Sequence, residues 1–218
     1  MRQTILLTGF EPFNRERINP AWEAVQALAG WHTETFDVEA IQLPCVFGRA
    51  HDELAAAITR HAPDIVIAVG QAGGRSEICV ERVAINIDDA PIPDNAGTQP
   101  VDRAIVTAGP AAYFSTLPIK AIVHAIRGGG IPASVSQTAG TFVCNHLFYA
   151  LMDQLAQPGA PSGARGGFIH VPYLPRQAAA HPGQPSMALT DIIEALRIAI
   201  RISAAGEADL RTAEGRID

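Results

Sequence analysis

The stretch IVIAVGQAGG, residues 65–74, decides the fold class. Its first five residues are apolar, and four of them are β-branched. A run of this kind is typical of a parallel strand that is buried on both faces, and the glycines from Gly70 onward end it. We interpret residues 5–7 and 167–171 as further buried strands. The sequence therefore predicts a core sheet of buried, mostly parallel strands.

Helical patterns alternate with the strands along the chain. Asn19-Pro20 is an N-cap residue followed by proline at the first helical position, and this helix is expected to end at Gly30. Further helices are predicted over 46–61, 118–127, 144–157 and 189–202, and further strands over 33–43, 79–87 and 133–136. The alternation predicts an α/β fold. In such folds, sites form at the carboxyl ends of the strands, here at 8–13, 70–74 and His170.

The composition excludes several classes of protein. The chain has 218 residues, of which 48% are hydrophobic, so a buried core is expected and a disordered chain is not. We predict a single domain over residues 1–218. The formal net charge is −6 without a basic stripe, which argues against a nucleic acid partner. The longest apolar stretches are too short to span a membrane, and the N-terminal residues lack the features of a signal peptide.

The cysteines favour a reducing compartment. Cys45, Cys79 and Cys144 are an odd number and form no CxxC pair, so free thiols in the cytoplasm are expected. Cys144 and His146 stand two positions apart and would point to different faces of a helix. Since no other cluster has the spacing of metal ligands, no metal site is predicted.

Cys144 and His170 are the first candidates for chemistry. Cys144 lies at the start of a predicted helix, where the positive end of the helix dipole favours a thiolate. His170 ends a predicted buried strand, where it could accept the thiol proton. Taken singly, a buried structural cysteine and a core histidine are the commoner interpretations. The two residues together favour nucleophilic catalysis.

Glu81 is the third candidate, and two interpretations of it remain open. It lies in a predicted strand among apolar neighbours, and a carboxylate in such surroundings needs a partner. It could orient His170, as the acid does in a Ser-His-Asp arrangement. Alternatively, it could form a simple ion pair with Arg82 or Arg75.

Two aromatic residues stand on a loop that is predicted to be exposed. Phe10 and Phe13 lie three positions apart at the end of the first strand. They could form the walls of a pocket for a flat, neutral ligand. They could equally anchor the loop to the core.

Several motifs occur together in one order, and with them the sequence resembles the pyroglutamyl peptidase I family of cysteine peptidases, also called pyrrolidone-carboxylate peptidases. The resemblance covers about residues 4–202. The motifs are TGFEPF (8–13) with Asn19-Pro20, GQAGGR (70–75), ERVAIN (81–86), IPDN (92–95), AGTFVCN (139–145) and FIHVP (168–172).

The resemblance implies a cofactor-free thiol peptidase that removes an N-terminal pyroglutamyl residue from peptides or proteins. It also implies a three-layer α/β/α sandwich of the phosphorylase/hydrolase-like kind, and often a homotetramer. By motif match, Cys144 takes the place of the nucleophile, His170 that of the base and Glu81 that of the residue that orients the histidine. The positions that match substrate-binding residues are Phe10, Phe13, Gln71, Ile92, Phe142 and Val143.

The sequence departs from the family pattern at two places, and two rival functions stay open. Pro91 stands where the family commonly has an arginine, and residues 14–17 replace an expected glycine-rich stretch. One rival is a nucleoside phosphorylase-like transferase, which would need a phosphate site near Gly74 and Arg75. The other is a binding homologue without activity, which Pro91 alone favours.

Overall fold

The computed structural model describes residues 2–215 and has eight strands and six helices in that range. In chain order they are β1 (Gln3–Phe10), α1 (Pro20–Gln26), β2 (Phe36–Leu43), α2 (Arg49–His61), β3 (Ile65–Gln71), β4 (Ile78–Glu81), β5 (Val83–Ile85), β6 (Ala112–Phe114), α3 (Ile119–Gly128), β7 (Ala133–Ser136), α4 (Val143–Ala156), β8 (Arg165–Val171), α5 (Pro175–Ala178) and α6 (Leu189–Ala205).

Six of these strands form the main sheet in the order β2-β1-β3-β8-β4-β7. Strands β1, β2, β3 and β8 are parallel to one another, whereas β4 is antiparallel to β8 and β7 is parallel to β4. The sheet is therefore mostly parallel, as predicted, with two reversed strands at one edge. Strands β5 and β6 form a separate antiparallel pair.

Helices cover both faces of the main sheet, which confirms the α/β/α sandwich. Ile65, Ile67 and Val69 of β3 join a core with α1, α3 and α6, while Val66 and Ala68 join a second core with α2 and α4. Because successive side chains of a strand point to opposite faces, β3 needs an apolar residue at every position. Within residues 2–215, none of the helices has the length and apolarity needed to cross a membrane.

Helix α1 and strand β2 are shorter in the structure than the sequence pattern predicts. Helix α1 ends at Gln26, four residues before Gly30. Strand β2 begins at Phe36 and not at Thr33, because the Thr33 hydroxyl accepts hydrogen bonds from the N–H groups of Thr35 and Phe36 and forms a turn. Local side-chain bonds of this kind compete with regular structure, and apolar periodicity does not report them.

The predicted strand 79–87 is two strands that belong to different sheets. Strand β4 ends at Glu81, Arg82 intervenes, and β5 pairs with β6. Helix α2 begins at Arg49 and not at residue 46, because Gly48 has a φ angle of 73°, outside the range of a right-handed helix. Strand β6 and helix α5 were not predicted, since three and four residues are too few to carry a periodic pattern.

Helix α4 lies along the sheet with its N-terminus at the carboxyl end of β3. A Cβ atom on Gly70 would lie 2.8 Å from Cys144 Sγ, and one on Gly166 would lie 2.7 Å from Leu155 Cδ1. The helix therefore runs from the end of β3 toward the start of β8. Leu147 and Leu151 are fully buried and Leu155 packs against the same core, as the helical spacing predicted.

Candidate active site

The candidate site lies on the α4 face of the sheet, where β3, β8 and β4 are neighbours. His170 of β8 is in register with Gly70 of β3 and with Cys79 of β4. Paired residues share a face, so Glu81, two positions beyond Cys79, points to the same side as His170. Glu81 therefore lies diagonally across from His170 on this face, within reach of its ring. The predicted strand ends supply Gly70 and His170, but Glu81 comes from an antiparallel strand.

Glu81 makes both of the contacts that the sequence left as alternatives. Its side chain is completely buried, and its Oε1 atom lies 2.7 Å from His170 Nδ1 and 2.7 Å from Arg75 Nη1. Arg82 turns elsewhere and donates to Gln137. Since a carboxylate can only accept, the His170 proton lies on Nδ1 and Nε2 carries the lone pair. The contact thus sets the tautomer that a general base needs.

Arg75 connects this pair to the loop that leads into α4. Its guanidinium also donates to Ser136 Oγ at 3.2 Å and to the Thr138 carbonyl at 2.9 Å. Burial lowers the pKa of Arg75, but the Glu81 carboxylate and Cys79 outweigh it and raise the pKa above its ordinary value. Arg75 therefore stays charged. The sequence offered it as an ion-pair or phosphate residue, and its link to residues 136–138 was missed because those residues are distant along the chain.

Cys144 is the second residue of α4, and its thiol lies against Gly70. A Cβ on Gly70 would meet Cys144 Sγ and Phe168 Cζ, each at 2.8 Å. The Phe168 ring in turn lies 4.8 Å from the His170 ring, centroid to centroid. Gly70 and Phe168 are thus neighbours shared by the thiol and the histidine. The fold brings together the three residues that the sequence singled out for chemistry.

The thiol itself does not favour the thiolate, which corrects the expectation drawn from the helix terminus. Burial, which is the largest cause, and the Glu81 charge together raise the pKa of Cys144 to about 12, and Arg75 opposes the change. Loss of solvation is the largest cause of this rise. Burial also raises the pKa of Cys45 and of Cys79. As whole residues, Cys45 and Cys79 are buried and Cys144 is partly exposed.

The first turn of α4 offers unused backbone donors. Its cap residue, Phe142, makes no capping side-chain bond. Among the hydrogen bonds of residues 2–215, none uses the N–H of Val143 or Cys144. Asn145, which sequence analysis did not single out, fixes this turn by bonding the backbone of Ile85 in both directions. Free N–H groups at a helix start are suited to hold a negatively charged oxygen.

An aromatic cluster stands beside the nucleophile's helix. The ring of Phe142 lies 6.0 Å from that of Phe13 and 5.4 Å from that of Phe47. Phe13 is partly buried, as a pocket wall requires. Phe10 is the last residue of β1 and only 2% exposed, so the prediction that it lies on an exposed loop is wrong. Phe47 lies within the predicted helix 46–61, and its place in the cluster was missed.

The remaining predicted contact residues lie at different depths. Gln71 ends β3, is nearly buried and accepts a hydrogen bond from Gln177 at 2.9 Å. Ile92 is half-buried in the loop after β5. The Val143 side chain is fully buried in the core, so its backbone is the part left to meet a ligand.

The unusual loop at 14–17 keeps a backbone that glycine would favour. Asn14 and Arg15 have φ angles of 51° and 64°, in the left-handed region. Asparagine enters this region readily, whereas arginine does so at a cost. The non-glycine residues therefore make the loop more strained. Pro91, the other departure, is exposed.

Comparisons with known proteins identify the family of the chain. A family model described as pyroglutamyl peptidase matches residues 3–206. The chain is 61% identical to the pyrrolidone-carboxylate peptidase of Cupriavidus pinatubonensis, over 99% of both chains. It superposes on the crystal structure of pyroglutamyl peptidase I from Bacillus amyloliquefaciens with a TM-score of 0.94 and 51% identity, covering 98% of this chain and 100% of that one. The chain belongs to the pyroglutamyl peptidase family.

The contact between Gly70 and the thiol gives a first testable prediction. Gly70→Ala is expected to lower kcat/KM on a pyroglutamyl amide at least about tenfold, because the new methyl group displaces Sγ, and displacements of this size cost one to two orders of magnitude. Gly128→Ala is the matched control, since nothing lies within 4 Å of its Cβ position. Thermal unfolding confirms that both variants fold. Full activity in folded Gly70→Ala would contradict the placement of the thiol.

Proposed function

We propose that the chain is a cysteine peptidase that hydrolyses the bond after an N-terminal pyroglutamyl residue. Residues 1–218 act as one catalytic domain in this proposal, and no cofactor takes part. The observation that carries it is the buried Glu81, shared by His170 and Arg75, with the Cys144 thiol of α4 packed against Gly70 on the neighbouring strand β3. Family membership supports the same substrate class.

Attack begins with proton transfer from Cys144 to His170. A thiol with a raised pKa is neutral at rest, so the proton leaves as Sγ approaches the carbonyl carbon. His170 accepts it on Nε2, the ring nitrogen that Glu81 leaves free. The Glu81 carboxylate then stabilises the imidazolium ion. Arg75 holds that carboxylate in place through a contact of 2.7 Å.

The reaction then passes through two tetrahedral intermediates. The free N–H groups at the start of α4 stabilise the negative oxygen of the first. As the C–N bond breaks, His170 returns the proton to the leaving amine and a thioester to Cys144 remains. Water attacks the thioester with His170 as base, the C–S bond breaks, and pyroglutamate leaves with the thiol restored.

The aromatic cluster supplies the pocket for the pyroglutamyl ring. The ring is flat and uncharged and lacks a free α-amine, so apolar walls with a few hydrogen bonds suit it. Phe13 and Phe142 form the walls, and Phe47 backs Phe142. Phe10, Gln71, Ile92 and the Val143 backbone complete the pocket in this proposal.

The phosphorylase-like alternative is not favoured. It required a cation near Gly74 that could bind phosphate, and Arg75 is engaged by Glu81, Ser136 and Thr138. An inactive binding homologue is also disfavoured, because the proposed catalytic residues are all present and Glu81 and His170 are hydrogen-bonded.

We further propose a homotetramer in the cytoplasm. Val101 and Phe114 are 70% and 68% exposed, and a contact between copies would cover these apolar side chains. Cys45, Cys79 and Cys144 are free thiols, which a reducing compartment preserves. Light scattering is expected to give four times the chain mass of 23.1 kDa. The mass of a monomer would contradict the assembly.

The nucleophile is tested by substitution. Cys144→Ser is expected to reduce turnover of pyroglutamyl-aminocoumarin below about 1% of wild type, because a hydroxyl is far harder to deprotonate than a thiol. Cys45→Ala and Cys79→Ala serve as controls, since neither thiol takes part in the proposed reaction. Iodoacetamide should abolish wild-type activity while labelling Cys144. Substantial hydrolysis by Cys144→Ser would contradict the assignment.

The pocket is tested at Phe13. Phe13→Ala is expected to reduce kcat/KM about ten- to a thousand-fold, through loss of the aromatic contact and of apolar burial. The rate of Cys144 alkylation is the control, and it should be preserved. If turnover and alkylation collapse together, Phe13 holds the loop and does not recognise the ring. If neither changes, the ring binds elsewhere.

A further inference from the structure

We propose that His146 and Asp88 are positioning residues that hold the aromatic wall of the pocket. His146 lies two residues after Cys144 and is nearly buried on the other side of α4. Its role in the site has to come through Phe47 and Phe142, because it contacts none of the proposed catalytic residues through a hydrogen bond. This inference rests on the proposed function.

The hydrogen bonds of His146 determine which of its ring nitrogens carries the proton. The N–H of Gly48 donates to Nε2 at 3.1 Å, and Nδ1 lies 3.1 and 3.0 Å from the two carboxylate oxygens of Asp88. A backbone N–H can only donate, so Nε2 carries the lone pair and the proton lies on Nδ1. The imidazole is thus an acceptor toward Gly48 and a donor toward Asp88.

The same bonds exclude a second catalytic site. His146 and Asp88 line a cavity of about 290 Å³, and a histidine–carboxylate pair beside a cavity is a usual sign of acid–base chemistry. Here both ring nitrogens are occupied by the protein itself. No lone pair remains to take a proton from a ligand in the cavity. The pair therefore acts on the structure around it.

Phe47 is held from two directions by this arrangement. Its ring meets the His146 ring edge to face at 5.4 Å and meets the Phe142 ring in the same way at 5.4 Å. Its own N–H donates to Asp94, and the next N–H, of Gly48, donates to His146. Gly48 has a φ angle of 73°, so the backbone at residues 47 and 48 is not helical. The two side-chain hydrogen bonds, and not helical backbone bonds, hold this turn in place.

Asp88 connects the pair to the other half of the wall. Its backbone exchanges two hydrogen bonds with Arg103, at 2.7 and 3.0 Å, which fixes its position. The next residue, Asp89, accepts from the Thr141 hydroxyl at 2.7 Å and donates its N–H to the Thr141 carbonyl. Thr141 directly precedes Phe142. The wall residue Phe142 and the residue that backs it, Phe47, are therefore both tied to one buried pair.

This geometry predicts an effect on substrate affinity and not on chemistry. His146→Leu is expected to raise KM for a pyroglutamyl substrate about tenfold, with kcat within about twofold of wild type. The reason is that the Gly48 N–H loses its buried acceptor, so that Phe47, which backs Phe142, is held less firmly. His146→Gln should recover most of the affinity, since its amide can accept from Gly48 and donate to Asp88. His124→Leu, at an exposed position of α3, is the matched control.

Two measurements test the pair without relying on turnover. ¹⁵N NMR of the wild-type protein should place the His146 proton on Nδ1. Hydrogen exchange in the peptide that contains residues 47 and 48 should accelerate in His146→Leu, but not in His146→Gln or His124→Leu. These results are informative even if the wild type does not hydrolyse pyroglutamyl substrates, in which case the proposed function alone fails.

Three outcomes would overturn the inference. The first is a proton on Nε2 of His146. The second is a fall in kcat at constant KM in His146→Leu, which would place the effect on the nucleophile. The third is equal loss of activity in the leucine and glutamine variants together with a lower Tm, which would make the pair a general support of the fold.

Discussion

The buried carboxylate of Glu81 is the interaction on which the rest of the site depends. A charged group without exposure to water needs a partner of opposite charge, and Arg75 provides it 2.7 Å away. Removing one partner of a buried pair typically costs about 3–5 kcal/mol. The same oxygen also contacts His170. One atom therefore links β4 with β8 and, through Arg75, with the loop before α4. Catalytic alignment and the stability of this edge of the sheet are therefore coupled.

The second constraint is close packing at the carboxyl end of β3. The Cys144 thiol can pack against the strand because residue 70 is glycine, which has no side chain. Burial raises the pKa of the thiol, so in the proposed mechanism His170 generates the nucleophile during the reaction. The site in this way combines a neutral resting thiol with a histidine whose tautomer is already set.

A second carboxylate–histidine pair lies on the other side of α4. Asp88 fixes the tautomer of His146 as Glu81 fixes that of His170, with Nδ1 facing the carboxylate in both. The difference lies at Nε2, which is free in His170 and accepts from Gly48 in His146. One carboxylate–histidine pair is therefore available for proton transfer, and the other is committed to structure.

The sequence by itself determined the α/β class, the buried strand β3, the extent of α4 and the candidates Cys144, His170 and Glu81. These follow from local periodicity, from helix and strand ends, and from motifs that each occupy a few adjacent residues. Only the tertiary structure decided that β4 runs antiparallel, that Arg75 and His170 share Glu81, and that burial raises the pKa of the Cys144 thiol. The physical reason is that strand order, shared hydrogen bonds and loss of solvent depend on residues far apart in the chain, which no local pattern records.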